Sequence, residues 1–161
     1  MNNHELNNWR DSLALPFSGI RDAKLQLSML QSRYDRLSEE ARNLLESFND
    51  LVKHKTSPVY LHRAAANTNK ILKWRLSGAK VFNFGDKARS YALLTPEVLD
   101  LLNEVLANDQ ALIERIVEFD FKRTHLNYAL SYTYAEVKRL ENYIEEFEVW
   151  RKLPGLVEQI L

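Results

Sequence analysis

Along residues 21–53 apolar side chains recur every three or four positions: Leu27, Leu30, Tyr34, Leu37, Ala41, Leu44, Phe48 and Leu51. No Gly or Pro interrupts them, so the spacing predicts one amphipathic helix of about 30 residues. Ser57-Pro58 stops it, because proline biases the residue before it away from helical angles. After Pro58 the period changes. VYLHRAA and KILKWRLS are short and contain β-branched or aromatic residues, and Asn67-Thr68-Asn69 lies between them. Asn tolerates the left-handed angles of a tight loop, so these segments predict a β-hairpin. In its second strand Leu72, Trp74 and Leu76 share one face, which packs, while Lys73 and Arg75 share the other. VFNF and SYALL, around Gly85-Asp86, offer a third strand, giving a basic β region over 58–94.

Thr95-Pro96-Glu97 marks a helix start: a hydroxyl cap, proline at the first helical position, then an acid near the positive end of the dipole. From there to Lys152 the chain again lacks Gly and any further Pro. Positions 98, 102, 105, 109, 112, 116, 119, 123, 126, 130, 133, 137, 140, 144 and 147 alternate steps of four and three. All but Asp109, Arg123 and Thr133 are apolar, which makes a coiled-coil-like seam. One continuous helix would run on the order of 80 Å. Asn108-Asp109 can cap a new one, so the expected helices are 96–107 and 109–152, with Pro154-Gly155 ending the second. Tyr128, Tyr132, Tyr134 and Tyr143, at helical spacing, are expected in the core with tethered hydroxyls. Asp120, Arg123 and Asn127 share one stripe. Arg123 on an apolar seam predicts a structural polar network, with Arg123 tied to Asp120 and a neighbouring element.

Charge changes the picture. The chain of 161 residues carries 22 basic and 22 acidic side chains and is neutral overall. Residues 53–91, however, hold Lys53, Lys55, Arg63, Lys70, Lys73, Arg75, Lys80, Lys87 and Arg89 against Asp86 alone, a net of +8. Acidic flanks on either side cancel it. A local field persists when the total is zero, and cations interleaved with Tyr60, Trp74, Phe82, Phe84 and Tyr91 suit phosphates and unstacked bases. These nine cations are the candidate nucleic-acid contacts. The competing expectation is that they blunt a strand edge or dock an acidic protein.

Chemistry for catalysis is missing. There is no cysteine, and the four Gly are too sparse for a phosphate loop. His4, His54, His62 and His125 lack metal-ligand spacing. No Ser sits in a nucleophile elbow. No cofactor, metal or enzymatic activity is expected. The N-terminal stretch lacks the pattern of a secretory signal, no apolar run approaches the length of a membrane span, and the absence of cysteine fits a reducing cytoplasm.

Three stretches, PFSGIRDAK (16–24), LKWRLSGAK (72–80) and FDFKRTHLNYALSYTYAEVKR (119–139), together resemble an uncharacterised proteobacterial family encoded on integrating conjugative elements. Members show a Leu-Arg-Trp-Arg stretch and, later, an acid-x-x-Arg-x-x-x-Asn helix. Lys73-Trp74-Arg75 and Asp120, Arg123 and Asn127 stand in those places, with Lys73 for the first Arg and Asp120 for the commoner Glu. The family has no established activity, although some members carry an integrase-regulator label. The resemblance implies a mobile-element setting, with DNA a better partner than RNA.

The expectation is therefore a mainly α (α+β) single domain over 1–161, a long-helix bundle with an inserted basic β-hairpin or small meander. Its expected role is that of a non-enzymatic nucleic-acid-binding accessory or regulatory protein, with self-association through the heptad seam. The alternative is a protein–protein adaptor or inhibitor whose basic hairpin docks an acidic partner.

Overall fold

The computed structural model describes residues 2–63 and 71–153. The Asn67–Asn69 turn, Lys70 and the Pro154-Gly155 stop lie outside them. Four helices and three strands follow in the order α1 (Asn3–Ser12), α2 (Ile20–Val52), β1 (Val59–Arg63), β2 (Leu72–Leu76), β3 (Tyr91–Ala92), α3 (Pro96–Val105) and α4 (Gln110–Arg151). The protein is mainly α with a small antiparallel meander inserted between long helices. Residue contacts gather into two units, 1–34 with 133–161 and 35–132. Helices α2 and α4 contribute to both.

In the first unit, α1 is closed by a reciprocal cap. Asn2 Oδ1 accepts from the Glu5 N–H and Glu5 accepts from the Asn2 N–H, both at 2.9 Å. No residue of α1 is buried. Phe17 just before α2 and the first half of α2 pair with the second half of α4 through rings and an ion pair. Phe17 meets Tyr143 at 4.7 Å, Tyr34 meets Tyr134 at 5.9 Å, and Lys24 Nζ reaches Glu148 at 2.5 Å. Ala23, Thr133, Val137 and Leu140 are buried here. Thr133 Oγ1 is buried with no hydrogen-bond partner among the described residues.

The second unit holds the sheet. β1 pairs with β2 and β2 with β3, all antiparallel, with Tyr60 opposite Arg75, Leu61 opposite Trp74, and Arg75 opposite Tyr91. Period-two alternation turns Val59, Leu61, Leu72, Trp74 and Leu76 inward, and all five are buried. Trp74 is fully buried and meets Phe48 of α2 edge-on at 5.1 Å. Phe48 in turn meets Phe119 of α4 at 5.2 Å. Such edge-to-face pairs are worth about 0.5–1.5 kcal/mol beyond the area they bury. Of the two stretches offered for a third strand, SYALL forms β3. VFNF instead enters a single 3-10 turn, Lys80–Phe82, followed by a second, Gly85–Lys87.

The break between α3 and α4 follows the side chains. Thr95 Oγ1 accepts from the Val98 N–H with Pro96 at the first helical position, and Asp109 Oδ1 accepts from the Leu112 N–H at 3.2 Å. The heptad positions face inward within one chain. Leu102, Leu112, Ile116, Phe119 and Leu130 are buried in the second unit, and Thr133, Val137 and Leu140 in the first. Self-association through this seam would have to open the core it already fills.

Candidate nucleic-acid interface

The outward face of the sheet follows from the same alternation. Tyr60 and His62 on β1, Lys73 and Arg75 on β2, and Tyr91 on β3 point away from the core. Register places Arg75 between two tyrosines across the three strands. Tyr91 also meets the His62 ring at 5.7 Å, and Lys73 Nζ lies 5.2 Å from its centroid. At the end of this face Tyr60, Leu61, His62, Arg75, Ser77, Gly78 and Arg89 line an open groove of about 470 Å³. Among the described residues no carboxylate lines it. Among the described residues, none of Lys73, Arg75, Lys80, Lys87 and Arg89 is paired with an acid.

Two arginines are held in place there. Arg75 Nε donates to the Arg89 carbonyl at 2.8 Å, leaving its terminal amino groups for another acceptor. Arg89 sits on a bulge. The Leu76 N–H donates to the Ser90 carbonyl at 2.9 Å and the Arg89 N–H to the Leu76 carbonyl at 3.0 Å, so two residues oppose one. Arg89 has φ +62°, the left-handed conformation that such a position usually reserves for glycine. Its side chain lies across Gly78, where a Cβ would come within 2.8 Å of Nε. Gly78 is small because a guanidinium occupies the space beside it.

The nine cations fall into different roles. Lys73, Arg75 and Arg89 converge with Tyr60, His62 and Tyr91. Lys80 and Lys87 are exposed in the turns between β2 and β3, and Lys53 is exposed just past α2. Lys55 pairs with Asp109 at 3.2 Å. Arg63 belongs to the inward face and donates to the Ser38 carbonyl of α2 at 3.1 Å, away from the outer-face cations. Lys70 lies outside the described residues. Of the interleaved aromatics, Trp74 and Phe84 are buried and half-buried Phe82 stacks on Phe84 at 5.7 Å, leaving Tyr60 and Tyr91 exposed on the outer face. The alternation of VYLHR and the position of SYALL signal this pair. Residue order alone cannot signal the bulge that brings Arg89 beside Arg75.

Asp120, Arg123 and Asn127 meet on the other side of the sheet. Asp120 Oδ1 accepts from Arg123 Nε and from Trp74 Nε1, both at 2.8 Å. Arg123 Nη1 reaches the Leu72 carbonyl at 3.4 Å, and the Asn127 amide bonds both the N–H and the carbonyl of Leu72. The three residues clamp β2 and are turned away from any ligand on the outer face.

The tyrosines depart from expectation. Tyr134 and Tyr143 are half-buried, but Tyr128 and Tyr132 are exposed and stacked at 6.4 Å. With Val117 and Phe121, also exposed, they make a ridge on α4 facing away from its buried side. They lie off the inward seam by about 160° of helical rotation.

Acidic groups on the helices are held ionised by their own partners. Lys122, then Arg115, lowers the Glu118 carboxyl, and Arg42 lowers Glu39. At the start of α3 a bond from its own backbone N–H, then the Thr95 hydroxyl, lowers Glu97. Among the described residues no group of three or more His, Cys, Asp or Glu is placed to hold a metal ion, and no helix is long and apolar enough to cross a membrane. Comparison with family models, curated proteins and solved structures finds no match.

Proposed function

We propose that this is a non-enzymatic, cytoplasmic nucleic-acid-binding accessory or regulatory protein of a mobile genetic element, and that the outer sheet face contacts phosphates. One observation carries the reading: Lys73, Arg75 and Arg89 gather beside Tyr60 and Tyr91 on a face without an acid. Cations with no acid partner among the described residues suit an external polyanion. The mobile-element setting is supported by the Lys73-Trp74-Arg75 and Asp120, Arg123, Asn127 stretches. Lys73→Glu with Arg75→Glu changes only half-buried outer-face residues, so it should abolish binding while helical content is retained. With about four phosphates neutralised, log K should fall against log salt with a slope of roughly −3 to −4. Undiminished affinity in the double mutant overturns the assignment.

A second reading is favoured by the exposed ridge of Val117, Phe121, Tyr128 and Tyr132, because contiguous exposed apolar surface marks interaction sites. On that reading the protein is an adaptor whose basic hairpin docks an acidic partner. Binding of polyglutamate at the outer face, with no binding of any oligonucleotide, would favour it.

A further inference from the structure

We infer that the ligand of the outer sheet face is single-stranded nucleic acid, with a phosphate between Arg75 and Arg89 and bases stacked on Tyr60 and Tyr91. This rests on the nucleic-acid reading above and narrows it to one strand form. A duplex buries the faces of its bases and offers tyrosines nothing to stack on, whereas an unpaired strand offers every base. Here both tyrosines are exposed, at 37% and 52%, on the two strands flanking that of Arg75. They stand two strand spacings apart, about 10 Å. A cation between two such rings suits a backbone phosphate between two splayed bases.

Arg89 adds an independent observation. An arginine occupies a left-handed bulge position that glycine would fill without strain, and Gly78 leaves room for its side chain. Strain retained at one residue points to what its side chain does. The bulge brings the Arg89 guanidinium to the groove that Arg75 also lines, and the Arg89 carbonyl orients Arg75 through Nε. Two guanidinium groups in one acid-free groove form a site for a phosphate oxygen pair.

The test is fluorescence anisotropy with a labelled strand of about 12 nucleotides, offered as single-stranded DNA, as single-stranded RNA and as DNA duplex. Either single strand should bind tighter than the duplex by roughly tenfold or more. Tyr91→Ala should weaken single-strand binding roughly 5- to 150-fold and Tyr91→Phe should restore it, as expected for the loss and return of one stacked base. Arg89→Gly should weaken binding while the melting temperature holds or rises, since glycine suits the bulge. Gly78→Ala, which displaces the Arg89 side chain, should weaken binding in the same direction. Equal or tighter duplex binding, with Tyr91→Ala without effect, overturns the single-strand inference and leaves the broader reading standing. Failure of all three probes to bind at low salt overturns both. A lower melting temperature in Arg89→Gly makes Arg89 a structural residue and removes it from the site.

Discussion

Asn127 of α4 replaces a missing strand residue beside Leu72. Its Oδ1 accepts the Leu72 N–H at 2.8 Å and its Nδ2 donates to the Leu72 carbonyl at 2.7 Å. Leu76 and Trp74 bond toward β3, and period two turns the backbone groups of Leu72 to the same side. β3 is only two residues long and ends before it reaches Leu72. A side-chain amide carries the same donor and acceptor as a peptide unit, so it completes the ladder.

Asn127→Ala should therefore leave the N–H of fully buried Leu72 without its partner and its carbonyl with only the longer Arg123 contact. The expected loss is roughly 1–3 kcal/mol, read as a lower denaturant midpoint with an unchanged slope. A midpoint equal to that of the parent protein would mean that water takes over both bonds and that the amide is dispensable.

Arg123→Ala should destabilise by about 3 kcal/mol, because it leaves the Asp120 carboxylate in a site where the two side chains are only 24% and 11% exposed. Replacing Asp120 and Arg123 by Leu and Met removes both charges but also strands Trp74 Nε1, which donates to Asp120. Recovery should be incomplete by roughly 1–3 kcal/mol. Asp120→Asn with Arg123→Met keeps an acceptor for the indole and should recover more. Chemical denaturation of the three variants ranks them, and equal recovery in the two doubles would show that the indole bond contributes nothing.

Thr133→Val should leave stability unchanged or raise it by about 1 kcal/mol, because the Thr133 hydroxyl is fully buried without a partner and valine has nearly the same shape. Thermal melting decides it. A melting temperature lowered by several degrees would show that the hydroxyl is bonded in solution.

The ionised Glu39, Glu97, Glu118 and Glu148 predict the response to acid. A carboxyl lowered on folding contributes stability that is present above its unfolded value and lost as pH falls through its folded value. The melting temperature should thus vary little from neutrality to about pH 4–5 and fall below that. All four groups reach solvent, Glu118 and Glu148 being half-buried, so added salt should reduce this component. A melting temperature that rises on acidification below pH 4 would contradict the sign.

What the residue order determines by itself is local. Steps of three and four from Leu27 to Leu51 specify α2, and Thr95-Pro96 and Asp109 set the two later helix starts through their own caps. Alternation sends Trp74 inward and Lys73 and Arg75 outward, because side chains on a strand change face at every residue. The tertiary structure decides whatever depends on neighbours distant in sequence. Arg63 follows the inward face and is captured by the Ser38 carbonyl, although its charge places it with the other cations. Tyr128 and Tyr132 have the same helical spacing as core residues, yet α4 turns them away from the elements packed against its other side. Arg89 reaches Arg75 through a bulge made by Leu76, and Asn127 meets Leu72 because β3 stops short. Periodicity records which residues share a face of one element. It carries nothing about which element covers that face, and that is set by packing.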